Sequence, residues 1–297
     1  MKFGKKLICI VFALFSISCS EVSAFFGNTH FNLGKKIIAE SKLELLQEET
    51  DAFLAGLVYA DIGYFKFDKE IRKKCKKRIN SDDEIFAAKL AECAKTPAEM
   101  WFARSFAMHA FQDSIARKFL DDIFGTLTKG FNKKTSKLQY LADFGLYILN
   151  CGFLDYYFCV QQNSFIYNSF LDKFNSDEIA ANIGSLDKII GIASTKIATS
   201  ILDNYYSSIK KESLILYDDL IKQAYLSLGL NVTTEELHEQ SANIVSAFVI
   251  LSGLNSKRSI SEELANKIEL KTQELVNECL SYLELLLKDP RFAIPEK

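Results

Sequence analysis

An all-α fold is what this 297-residue chain predicts, on three observations. Prolines number only three (Pro97, Pro290 and Pro295), so little interrupts long helices. Hydrophobic residues make up 48% of the chain and fall in long runs with few glycine-rich turns, unlike the short, evenly spaced runs of a sandwich or barrel. Apolar side chains also recur every three or four residues, the period of a helix with one buried face. The length suits one large domain or two modest ones.

Residues 1–24 stand apart from that pattern. Lys2, Lys5 and Lys6 precede an apolar run from Leu7 to Ile17, which is too short to span a bilayer and fits a secretory signal peptide. Two processing sites compete. Val22-Ser23-Ala24 places small residues for cleavage before Phe25, whereas Ser16-Ile17-Ser18-Cys19 resembles a bacterial lipobox with Cys19 as the acylated residue. The expectation is export, to a secreted or periplasmic location or to a membrane anchor through Cys19. Removing residues 1–24 takes away three lysines and Glu21, so the formal charge of −2 becomes −4. A mildly acidic chain argues against a nucleic-acid partner.

Beyond Cys9 and Cys19, five cysteines remain: Cys75, Cys93, Cys151, Cys159 and Cys279. An odd number permits at most two bridges, and no CxxC pair suggests a cysteine-bound zinc.

The first helix is expected to begin right after His30, with Leu33, Ile37, Ile38, Ser41 and Leu45 on one side and Lys35, Lys36, Glu40 and Glu44 on the other. A second spans residues 52–65, AFLAGLVYADIGYF. The basic run IRKKCKKR, residues 71–78, reads as a solvated helix face. Thr96-Pro97-Ala98-Glu99 is a helix start in which Thr96 caps, Pro97 takes the first position and Glu99 closes a capping box. That helix should run to about Gly125, largely buried by Trp101, Phe102, Phe106, Phe111, Ile115 and Phe119. Within it Ser105, His109, Gln112, Asp113 and Arg117 form a polar stripe at steps of four and three.

Further helices are expected over 135–150, 152–174, 177–207, 209–228, 234–252 and 260–288. The last two start at the boxes Thr233-x-x-Glu236 and Ser259-x-x-Glu262. The short connections suit a bundle. His238 lies beside an apolar stripe and reads as an ordinary boundary histidine.

His109 and Asp113, four residues apart on one helix, point the same way and can reach one cation. An ionised carboxylate among Trp and Phe side chains costs several kcal/mol unless a metal or counter-charge meets it. Two other stretches join this pair: Gly27-Asn28-Thr29-His30, and Phe53-x-x-Gly56 followed by Asp61-Ile62-Gly63-Tyr64-Phe65. In this order the three motifs resemble those of the zinc-dependent phospholipase C family, an all-α fold shared with certain single-strand nucleases. Ala60 stands where the family has proline, and Ser105 where it has glycine. The resemblance covers residues 25–150, about half of the chain after the signal.

The resemblance implies a phospholipase C-like helical domain, which a fall in aromatic richness near residue 175 bounds at 25–175, leaving a C-terminal helical region over 176–297 packed on it. It implies zinc held by His30, Asp61, His109 and Asp113, joined by Phe25 if its amine is freed. Asp61 would also orient the attacking water. The family's further histidines are missing: Gln139-x-x-x-Asp143 stands where a later ligand pair is expected, so Asp143 is the remaining candidate ligand. Fewer than three zinc ions are therefore expected. Arg117, four residues after Asp113, is placed to neutralise it.

Two functional readings lead, and a third, a single-strand nuclease, is disfavoured by the acidic charge and the lack of a recognisable base-stacking groove. One is an exported zinc-dependent phosphodiester hydrolase acting on phospholipid, with contact to a membrane surface. The other is a non-catalytic secreted or lipid-anchored helical protein that retains the scaffold with a degraded metal site.

Overall fold

The structure, a computed structural model, describes residues 25, 27–63, 70, 73, 84–125, 147, 150–158, 211–237 and 260–295. Every regular element among them is helical, so the fold is all-α.

Helix α1, Gly27–Glu40, begins four residues earlier than its apolar periodicity indicates, which places His30 inside its first turn. The reason is a cap from far along the chain. The Asp155 carboxylate accepts the main-chain N–H of Thr29 at 3.0 Å, satisfying an amide that a local capping side chain would otherwise take. Helix α2, Gln47–Tyr59, also starts before its apolar run, because Glu49 reaches back to the Leu46 amide at 2.8 Å. Ala60–Gly63 tightens into a 3-10 turn carrying Asp61. Ala60 donates its amide to Gly56 O, a bond that proline cannot make.

Helix α3 is Glu84–Cys93 and helix α4 is Pro97–Phe124. The expected capping box opens α4: Glu99 N donates to Thr96 Oγ1 at 3.2 Å and Thr96 N to Glu99 Oε2 at 3.0 Å. Gly125, at φ 80°, ends it. Helix α4 is the hub, packed against α2, α3 and the last long helix.

Residues 150–158 form helix α5 without the break expected at 151. Helix α6 is Lys211–Ser227 and helix α7 is Glu262–Lys288, followed by the 3-10 turn Pro290–Phe292. The box at Thr233 and Glu236 forms, with bonds of 3.1 and 3.2 Å. The cap of α7 is Ser261 rather than Ser259, its hydroxyl accepting Leu264 N at 3.2 Å. The expected helix over 177–207, most of the 71–78 basic run, Gln139, Asp143 and His238 lie outside the described residues.

Aromatic pairs join the helices. Phe102 of α4 stacks on Tyr217 of α6 at 4.3 Å, and Phe111 of α4 stacks on Tyr282 of α7 at the same distance. Helix α7 packs on α4 and α1, which brings the C-terminal chain against the N-terminal helices. Among the described residues no helix is long and apolar enough to cross a membrane.

Gly56 sets the spacing of α2 and α4. A Cβ there would overlap Ser105 Oγ and approach Phe102 O to 2.7 Å. Ser105 fits because its hydroxyl folds back on its own helix, donating to Phe102 O at 2.6 Å. Cys93, Cys151 and Cys279 are not in disulfides, while Cys75 and Cys159 lie outside the described residues.

Candidate metal centre

Three elements bring the sequence-derived residues together. His109, Gln112 and Asp113 are buried on one face of α4, His30 comes from the first turn of α1, and Asp61 from the 3-10 turn after α2. His30 and His109 are fully buried, and their rings stack at 3.8 Å between centroids and 22° between planes. The Phe25 ring closes one side, edge-on to His30 at 5.8 Å and to Phe119 at 5.4 Å.

Each imidazole is held by its Nδ1. His109 Nδ1 is 2.7 Å from the main-chain oxygen of Leu57, an acceptor only, so Nδ1 carries the proton and donates it. His30 Nδ1 is 2.6 Å from Gln112 Oε1, again an acceptor only. Both Nε2 atoms therefore face inward. His30 Nε2 lies 3.2 Å from Asp113 Oδ1, and His109 Nε2 lies 3.3 Å from Asp113 Oδ2 and 3.4 Å from Asp61 Oδ1. Asp113 Oδ1 also accepts the main-chain nitrogen of Phe25 at 2.9 Å.

Neutral and doubly charged rings both fit this arrangement poorly. With neutral rings, the Nε2 lone pairs point at carboxylate oxygens, and neither Nε2 has a hydrogen-bond partner among the described residues. With both rings charged, two cations 3.8 Å apart repel by about 4 kcal/mol at an effective dielectric near 20. A charge-assisted N–H···O bond would also be shorter, about 2.7–2.9 Å.

The separations also suit the ligands of a bound cation. Zinc bonds of about 2.0–2.1 Å in a tetrahedron put neighbouring ligand atoms about 3.3–3.4 Å apart. Octahedral magnesium at similar bond lengths would put them near 2.9 Å. The three observed N···O separations fall with the former.

The ligand atoms divide into two sets that share Asp113. His30 Nε2 and Asp113 Oδ1 form one, which the Phe25 nitrogen, here a peptide N–H donating to Asp113, would join only as a freed amine; Asp61 Oδ1, His109 Nε2 and Asp113 Oδ2 form the other. Asp61 Oδ2 is buried and without a hydrogen-bond partner among the described residues. His30, His109 and Asp113 each offer a ligand atom within 4.8 Å of the others.

Without a cation the cluster balances charge internally. Burial works against a charged His109, but the carboxylates of Asp113 and Asp61 outweigh it and hold its pKa well above 6.5. Burial likewise works against an ionised Asp113, but His109 and then His30 keep its pKa below 3.8. Next to Asp113, Tyr147 and Cys151 are pushed up mainly by burial and stay neutral at ordinary pH.

Of the sequence-derived candidates, Phe25, His30, Asp61, His109 and Asp113 converge; Asp143 lies outside the described residues. Arg117 is half-buried one turn beyond Asp113, whose oxygens are met by Phe25, His30 and His109. Sequence reasoning missed three contributors: Gln112 as the partner of His30, the Leu57 carbonyl as the partner of His109, and Asp155 as the cap that orients α1. Only Gln112 left a signal, as a polar residue in the buried stripe.

Fold and site together define an all-α protein with a buried histidine–aspartate cluster able to hold metal. No protein-family model, curated protein or solved structure matches the chain.

Proposed function

We propose that the chain is an exported, metal-dependent phosphodiester hydrolase of the zinc-dependent phospholipase C type, acting on phospholipid. The observation that carries this reading is the spacing of 3.2, 3.3 and 3.4 Å between inward-facing imidazole nitrogens and carboxylate oxygens, too long for charged hydrogen bonds and matched to zinc ligands. Donor chemistry agrees, since neutral imidazole with carboxylate suits zinc. The order of the three motifs in sequence supports the family reading.

When bound, zinc supplies a Lewis acid for a phosphoryl oxygen and lowers the pKa of water at the site. The protein's own residues do the rest. Leu57 O and Gln112 Oε1 fix the imidazoles so that both Nε2 lone pairs face inward. Asp113 supplies one oxygen to each set, and two ions is the number these sets suit. Asp61 commits Oδ1 to the second set and leaves Oδ2 to accept a proton from the attacking water. The surrounding Phe25 and Phe119 rings keep bulk water from one side.

The test is metal analysis of protein purified without chelators and then offered zinc, followed by hydrolysis of a phosphatidylcholine vesicle and of a soluble phosphodiester. Uptake of zinc with hydrolysis of either substrate is the expected result. Uptake without hydrolysis favours the non-catalytic reading, and no uptake at all sinks the metal reading.

A further inference from the structure

The two histidines of the cluster are oriented by different kinds of group. His109 is fixed by a main-chain carbonyl, which cannot turn over. His30 is fixed by a side-chain amide, which can. In its present sense Gln112 offers Oε1 to His30 Nδ1 and leaves Nε2 without a hydrogen-bond partner among the described residues.

Turning the amide over would place an NH2 group, rather than an acceptor oxygen, against His30 Nδ1.

We propose that Gln112 is the positioning residue that makes His30 a metal ligand through Nε2. The inference rests on the metal reading of the cluster. Facing an acceptor oxygen, His30 must carry its ring proton on Nδ1, and Nε2 presents a lone pair. With the amide reversed, Nδ1 must accept, the ring proton moves to Nε2, and that N–H is spent on Asp113 Oδ1 only 3.2 Å away. The same residue is thus a ligand or a hydrogen-bond donor according to which end of one amide it meets.

Zinc titration against a competing chelator separates this role from simple volume filling. Gln112→Met keeps the bulk but removes the acceptor, and it should weaken zinc binding about 10–100-fold. Gln112→Glu keeps the acceptor at either end and should bind at least as tightly as wild type. Met binding like wild type, or Glu falling with Met, overturns the proposal. If Gln112→Met does not fold, nitrogen-15 NMR of zinc-loaded wild-type protein decides. His30 is expected with its proton on Nδ1 and zinc on Nε2, and the opposite assignment overturns the idea. Wild-type protein that takes up no zinc removes the metal reading itself, an outcome distinct from zinc-binding protein whose variants ignore the acceptor.

Discussion

His30 and His109 stack 3.8 Å apart, yet their Nε2 atoms approach different oxygens of one carboxylate, Asp113. Stacking at that distance keeps the rings close to parallel, so their lone pairs run side by side rather than meeting at a point. One carboxylate with two oxygens is the group that can serve both. The arrangement depends on three helical segments meeting, because His30 and Asp113 are 83 positions apart in the chain.

Metal-free protein should therefore show a stability window in pH. His109 has a folded pKa well above 6.5, so its contribution is fully present below pH 6.5 and is lost as pH rises through the folded value. Asp113 has a folded pKa below 3.8, so its contribution is present above that pH and is lost as pH falls through the folded value. The Tm of chelator-treated protein should be highest between these limits. Zinc should reverse the alkaline side, because it competes with the proton on imidazole. The zinc-induced rise in Tm should be small at pH 5 and large at pH 8, and an equal rise at both would count against imidazole ligation.

Gly56→Ala tests the approach of α2 to α4. The added methyl overlaps Ser105 Oγ and lies 2.7 Å from the Phe102 carbonyl oxygen. Overpacking of this kind costs about 1–3 kcal/mol, read as a lower urea midpoint. Ser105→Gly in the same chain should recover only part of the loss, because the Phe102 oxygen is main chain and stays. Full recovery would mean that the helices separate freely and that Gly56 does not set their spacing.

Local signals were legible in the sequence and long-range ones were not. The start of α4 followed from Thr96, Pro97 and Glu99, which lie within four residues of one another and satisfy each other's amides. The His109–Asp113 pair followed from helix periodicity. The start of α1 did not, because its cap comes from Asp155, 126 residues away. Ser261 displaced Ser259 at the start of α7; both have the right chemistry, and the position of the first helical turn decided between them. The chain continues helically through Cys151 and Gly152, where a single glycine reads as a break but costs only about 1 kcal/mol that packing can offset. Gln112 stood in the expected stripe, but its partner His30 lies 82 residues away on another helix.

Arg104 ties the end of the described chain to the hub helix. Its Nε and one terminal nitrogen donate to Phe292 O at 3.2 and 2.7 Å, and its guanidinium lies 4.4 Å from the Trp101 ring. Burial lowers its pKa to about 10, with Glu49 opposing, so it remains charged at neutral pH. Lysine cannot make the forked contact or stack flat on the indole. Arg104→Lys should cost about 1–3 kcal/mol in urea unfolding, while zinc affinity of the folded protein stays unchanged. A fall in zinc affinity equal to that of a ligand variant would show that this latch and the cluster are coupled.

The division of ligand atoms into two sets sharing Asp113 sets the expected metal count. Asp61 belongs to one set only, since its Oδ1 lies 3.4 Å from His109 Nε2 and the His30 set draws on the other oxygen of Asp113. Asp113 belongs to both. Wild-type protein should bind two zinc ions at saturation, Asp61→Asn about one, and Asp113→Ala almost none. Asp61→Asn is nearly isosteric, so its fold should persist, and its helix content checks this directly. Asp113→Ala removes a carboxylate that balances two buried imidazoles, so it should also unfold more readily when metal-free, which circular dichroism at each titration point would register. Because Asp61 Oδ2 is also the proton acceptor proposed for hydrolysis, Asp61→Asn should lose phosphodiesterase activity by more than its zinc content falls. If instead both variants lose zinc in parallel, the two sets are a single site, and the shared role of Asp113 is wrong.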